Sequence, residues 1–181
     1  QRQMCIRDSI TNTYKGVYCM SLYFMRHGDT FSKKENKNMS VIEASRLISL
    51  SDLGKEQVRK VVLPLNLDCI ILSDSLRTKQ TVEILLEENN LSIPAIVDER
   101  LHPWDSGASN WESYWNSYME FIGGKPNSNV QYESKESMIN RLQSVISDYS
   151  EKNILIVAHS ILLATYLKKD FIPFAQIIKV K

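Results

Sequence analysis

Four short apolar runs, Leu22–Met25, Cys69–Leu72, Ala95–Val97 and Ile154–Ala158, alternate with segments of helical periodicity, and this alternation constrains the fold more than any other feature. Strands joined through helices pair in parallel, and a parallel sheet needs helices over both faces. The expected architecture is therefore α/β, a three-layer sandwich around a mostly parallel central sheet.

The helical segments carry their own start and stop signals. Ser51 or Asp52 caps a helix running to about Val62, with Leu53, Val58, Val61 and Val62 as its apolar stripe. Thr78–Glu88 places Val82, Leu85 and Leu86 on one face, and Asn89-Asn90 ends it. Trp111, Tyr114, Trp115, Tyr118 and Phe121 recur at helical spacing before Gly123-Gly124; such a row predicts core packing, with one or two rings facing a ligand. Ser134 caps a helix whose core face is Met138, Leu142, Val145, Ile146 and Tyr149, and Leu162–Lys168 forms the last helix. Phe31–Asn38 is polar and lysine-rich, as an exposed loop would be. No repeat or low-complexity linker divides the chain, so one domain is expected.

Composition narrows the partners. The 22 Lys and Arg balance 21 Asp and Glu, for a formal net charge of +1, which gives no electrostatic case for nucleic acid or an anionic membrane surface. No apolar run approaches the roughly 20 residues of a transmembrane helix. Cys5, Cys19 and Cys69 are odd in number and widely spaced, which fits neither a disulfide framework nor a zinc site and points to a reducing cytoplasm. Oligomeric state is not legible. Residues 3–9, QMCIRDS, resemble a translated mosaic-end adapter of transposase-based sequencing libraries, so residues 1–19 are expected to be a non-native leader. The domain is then 20–181, with Met20 as its natural start, in a metagenomic reading frame.

Chemistry concentrates where strands end, the side on which open parallel sheets bind ligands. The first strand delivers Arg26-His27-Gly28-Asp29-Thr30, the second leads into Ser73-Asp74-Ser75-Leu76-Arg77-Thr78, and the last ends at Ala158-His159-Ser160. Two histidines and two arginines converge there. Arginine is permanently charged and forks onto two oxygens, so the set suits a phosphoryl group, whose transfer depends on positioning and fixed positive charge. A neutral histidine among arginines keeps a free lone pair, provided its other ring nitrogen finds an acceptor such as the Gly28 carbonyl. A nucleotide-binding domain is disfavoured, because no glycine-rich turn links a strand to a helix.

From Met20 nearly to the end, the ordered motifs LYFMRHGDT, LSDLGKEQV, ILSDSLRTKQTVEIL, DERLHPWDSGASNWES and ILIVAHS resemble the histidine phosphatase superfamily, the phosphoglycerate mutase-like fold, in its branch of small phosphatases and mutases. The resemblance implies that His27 attacks phosphorus and forms a phosphohistidine. Arg26, Arg77 and His159 would then hold the phosphoryl group, and Gly28, Thr30, Ser160 and His102 are the expected substrate-binding residues. Thr30 either donates to phosphate or caps a turn; His102 either lines the pocket mouth or is an ordinary loop residue. A small phosphorylated substrate is implied, with neither metal nor other cofactor.

Two departures from the family pattern stand out. The usual proton-donating carboxylate falls on Pro103, which leaves Asp105 as the expected acid, with Glu99 and Glu112 behind it; Asp105 could instead turn the loop with Gly107. Lys33 stands where the family often has asparagine, and it or Lys34 could meet an anionic substrate or simply be solvated. Ala175–Val180 resembles the first strand of a C-terminal hairpin whose return strand is missing, so a truncated C-terminus is expected. The function expected is a phosphomonoesterase. The alternatives are a phosphoglycerate-type mutase, made less fitting by the short span from Leu101 to Gly123, and a weak phosphate-binding pseudo-phosphatase, kept open by Pro103.

Overall fold

A computed structural model describes residues 20–31, 38–123 and 131–181. In chain order the elements are β1 (Leu22–Arg26), α1 (Val41–Leu47), α2 (Asp52–Arg59), β2 (Cys69–Leu72), α3 (Leu76–Glu88) and β3 (Ala95–Val97). A 3-10 turn at Glu99–Leu101 follows, then α4 (Trp111–Phe121), α5 (Lys135–Asp148), β4 (Ile154–Ala158), α6 (Ser160–Leu167) and β5 (Ile177–Lys179). The five strands form one sheet in the order β3-β2-β4-β1-β5, parallel except for β5, which runs antiparallel to β1. This is the α/β architecture that the alternating pattern predicts.

Side chains alternate across the sheet and divide the core in two. Phe24, Ile71, Ile154 and Ile156 pack on one side with Leu142 and Val145 of α5 and Leu162 and Leu163 of α6. Met25, Ile70, Leu72, Leu155 and Val157 pack on the other with Val58 of α2 and Val82 and Leu85 of α3. Connections thus leave β1 and β2 over one face and β4 over the other. A crevice opens above the carboxyl ends of these strands, where their connections part.

Local chemistry explains most element starts. The Ser51 hydroxyl accepts from the Gly54 amide at 3.0 Å, Asn110 caps α4 through the Ser113 amide at 2.9 Å, and Ser134 caps α5 through Ser137 at 3.1 Å. The sequence reading misses α1, although it opens with a capping box: the Ser40 hydroxyl accepts from the Glu43 amide at 3.2 Å, and the Glu43 carboxylate accepts from the Ser40 amide at 2.8 Å. Its seven residues are too few to show a helical period.

Two expectations need correction. The stripe Leu53, Val58, Val61, Val62 does not form, because α2 ends at Arg59 and only Val58 is fully buried; Leu53 and Val62 face solvent. Tyr114, Tyr118 and Phe121 of α4 do pack against the core, but all five rings of the row, not one or two, line the crevice. They gather around Trp104, whose ring lies 4.9 Å from Phe121 and 6.1 Å from Tyr114. That loop tryptophan is itself buried in the core cluster against which Tyr114, Tyr118 and Phe121 pack. Lys33, Lys34 and most of the Phe31–Asn38 loop lie outside the described residues, as do residues 1–19.

Candidate active site

β1 ends on Arg26, and the His27 amide continues the ladder by donating to the Ala158 carbonyl at 3.2 Å. His27 therefore starts the turn at the crevice floor, directly beside the end of β4. Its ring Nδ1 lies 2.7 Å from the Gly28 carbonyl. A carbonyl only accepts, so Nδ1 carries the proton and the Nε2 lone pair is free. That lone pair accepts from Arg77 Nε at 3.2 Å.

Arg77 is the second residue of α3 and is anchored by its own hydrogen bonds. It donates through Nη1 to the Ser45 carbonyl at 2.8 Å, at the end of α1, and through Nη2 to His159 Nδ1 at 3.1 Å. With Nδ1 accepting, His159 carries its proton on Nε2, which faces the Ser73 hydroxyl at 3.0 Å. The two imidazoles lie 5.3 Å apart. Arg26 donates to the Ile172 carbonyl at 2.9 Å, and its guanidinium carbon sits 3.4 Å from the centre of the Phe174 ring. Its Nε is buried without a hydrogen-bond partner among the described residues.

The electrostatics follow from burial among cations. Burial first, then the Arg77 charge, hold His27 well below the ordinary imidazole range; Arg26 adds to the effect and the Gly28 carbonyl opposes it. His159 is lowered likewise by burial, then by Arg77 and His27. Burial pulls both Arg26 and Arg77 down to about 10, against Asp29 and Tyr118 for the first and Tyr114 and Asp74 for the second. At neutral pH the site thus holds two neutral imidazoles between two desolvated cations.

A family model described as the histidine phosphatase superfamily (branch 1) matches residues 22–172. The chain belongs to this superfamily. A protein of Klebsiella pneumoniae (strain 342) named "Probable phosphoglycerate mutase GpmB" is 27% identical over 158 residues, 80% of this chain and 71% of its own. Among solved structures, Bacillus stearothermophilus YhfR superposes with a TM-score of 0.65 at 19% identity, covering 90% of this chain and 91% of its own. The alpha-ribazole phosphatase of Shigella flexneri gives 0.64 at 18% identity, with 90% of each chain covered. The sheet and its helices are thus of the phosphoglycerate mutase-like fold.

Within this histidine phosphatase domain, Arg26, His27, Arg77 and His159 share one cavity wall, as do Thr30, His102, Asp105 and Ser160. Asp105 also turns its loop: its carboxylate accepts from the Gly107 amide at 2.8 Å, and Gly107 adopts φ +62°. Glu99 lines the same cavity, whereas Glu112, exposed in the first turn of α4, is not among its lining residues. Gly28 is not among them either: its amide donates to Thr81 Oγ1 at 3.2 Å and its carbonyl accepts from His27 Nδ1. It orients the histidine rather than meeting the cavity. His102 donates from Nδ1 to the Pro103 carbonyl at 2.6 Å.

Several site residues carry no role in the sequence reading. Ser73 and Ser75 stand at the end of β2 and fix the His159 ring; the serine pair is visible in the sequence, but its partner lies 86 positions on from Ser73. Asp74 lines the cavity beside Arg77. Phe174 has no spacing signal at all.

Proposed function

We propose that this protein hydrolyses small phosphate monoesters through a phosphohistidine on Nε2 of His27. The observation that carries the reading is the 2.7 Å approach of Nδ1 to the Gly28 carbonyl, which leaves Nε2 as the nucleophile. Nε2 bonds to phosphorus as the ester P–O bond breaks, and the electron pair leaves with the ester oxygen, which takes a proton from a cavity carboxylic acid. Water then attacks phosphorus and gives a proton to that carboxylate, which is restored as the acid; the P–N bond breaks, and its electrons return to Nε2 as inorganic phosphate departs. The unpartnered Arg26 Nε is the ready donor for the equatorial oxygens, where negative charge spreads; Arg77 Nε, which points at His27 Nε2, turns to them as that nitrogen bonds phosphorus, and His159 reaches them by exchanging its Ser73 partner for phosphate. The two guanidiniums supply the charge, so turnover is expected to resist EDTA. Asp105, on the cavity wall, is the proposed acid, with Glu99 as the other carboxylate of that loop region.

Relatives are named as a mutase and as a phosphatase, and in this reading the fate of the phosphohistidine, taken by water or by a second acceptor, separates the two outcomes. No helix among the described residues is long and apolar enough to cross a membrane; with Cys69 free and buried, we propose a cytoplasmic setting. The test is hydrolysis of p-nitrophenyl phosphate in EDTA. Wild type is expected to turn over and His27→Ala to lose at least about a thousandfold; equal rates sink the reading. Asp105→Asn should spare this activated ester, yet slow an alkyl phosphate by about 10²- to 10⁴-fold. If Glu99→Gln does so instead, the acid is reassigned.

A further inference from the structure

Beyond the phosphate-facing cluster, the cavity changes character. Tyr118 and Trp115 of α4 and Phe171 after α6 line it with rings, and Ile122 and Ile42 extend the apolar wall. Four of these are large side chains left open to solvent inside a concave surface: Trp115 is 45% exposed, Ile122 53%, Phe171 57% and Ile42 65%. Exposed apolar side chains gathered in a cleft, rather than scattered singly, mark a binding surface. Charge beyond Arg26 and Arg77 gives the second constraint. Arg46, Lys135, Lys168 and Lys169 are matched on the wall by four carboxylates, so among the described residues no excess of positive charge awaits a second anionic group.

We propose that this cleft selects phosphate monoesters whose esterified group is aromatic or otherwise apolar and carries no second anion. The inference rests on the phosphate-site reading above and adds the leaving-group side to it. Phe171 is the pivotal residue, since its ring lies 5.1 Å from the Arg26 guanidinium carbon while more than half of its surface stays open. A ring esterified to a phosphate on Arg26 would reach that open face.

Non-hydrolysable phosphonates test this by calorimetry, independently of turnover. The probes are methylphosphonate, benzylphosphonate and phosphonoacetate. Benzylphosphonate is expected to bind at least tenfold tighter than methylphosphonate, and phosphonoacetate no tighter than methylphosphonate. In Phe171→Ala the benzyl-to-methyl affinity ratio should shrink at least threefold; the ratio within one variant cancels any general loss at Arg26. Tyr118→Phe, which keeps the ring, should hold the ratio, and Tyr118→Ala should lower it. Equal affinity for the benzyl and methyl probes, tighter binding of phosphonoacetate, or a ratio indifferent to both alanine variants overturns the proposal while leaving the phosphate site standing. Failure of methylphosphonate itself to bind removes the phosphate site and this inference together.

Discussion

A β-carbon at position 28 would lie 2.7 Å from the Gly54 carbonyl oxygen and 2.9 Å from Val58 Cγ2, and one at position 54 would lie 2.0 Å from the Asp29 carbonyl oxygen. The turn that carries His27 is seated on α2 with no room for a methyl group between them. Gly28→Ala should therefore cost about 1–3 kcal/mol, read as a lower midpoint in denaturant unfolding; an unchanged midpoint would mean that the turn relaxes freely. Phe174 is a positioning residue of a different kind. It stacks on Arg26 and its ring also lies 5.9 Å from that of His27. Phe174→Leu should raise KM for p-nitrophenyl phosphate about tenfold with a smaller effect on kcat, and Phe174→Tyr should restore it; a pure loss of folded protein would move neither constant of the folded fraction. The Arg-His-Gly triplet was plain in the sequence. Its reasons were not, because Gly54 and Phe174 lie far along the chain and no local pattern joins them to it.

At the scale of elements, one ion pair secures the loop that holds His102 and Asp105. Arg141 of α5 meets Glu133 through Nε at 2.7 Å and Nη2 at 3.0 Å, nearly out of solvent, and donates through Nη1 to the His102 carbonyl at 2.9 Å. Glu133 in turn gives its amide to the Asp105 carbonyl at 2.8 Å and accepts from the Trp104 indole at 2.9 Å. Burial alone would raise the Glu133 carboxyl, yet the hydrogen bonds and charge of Arg141 hold it below the usual carboxylate range. Removing one member strands the other, so Glu133→Gln should cost about 3 kcal/mol, whereas a loss under about 1 kcal/mol would show a pair that does little. None of this was legible beforehand. Charged residues eight apart carry no periodic signal, whereas the caps at Ser51 and Ser134 and the alternating strands were read correctly because their causes are local. α4 was read in part: its helical spacing and the core packing of Tyr114, Tyr118 and Phe121 were right, but spacing alone cannot tell that all five rings also border a cavity.

The whole molecule responds to pH through its buried imidazoles. In the fold His27 and His159 stay neutral well below the ordinary value, while in the unfolded chain they protonate near 6.5. The unfolded state therefore takes up protons that the native state refuses, and stability falls as pH drops below about 6.5, by up to about 1.4 kcal/mol per pH unit for each group. Denaturant titrations at pH 8, 6.5 and 5 should trace that decline, and His159→Asn should make it shallower; a flat profile between 6.5 and 5 would contradict the buried, neutral assignment. The strand order that brings these groups together has a consequence for synthesis. β1 is made before β4 and β5, the strands it pairs with, and Arg26 is tied to the Ile172 carbonyl 146 positions later. Contacts this distant form late. A ribosome-bound chain therefore carries Arg26 and His27 through the synthesis of the 146 positions that separate Arg26 from Ile172 before the cluster around them can close, so these side chains meet the cell's solvent and solutes well before they meet each other's partners.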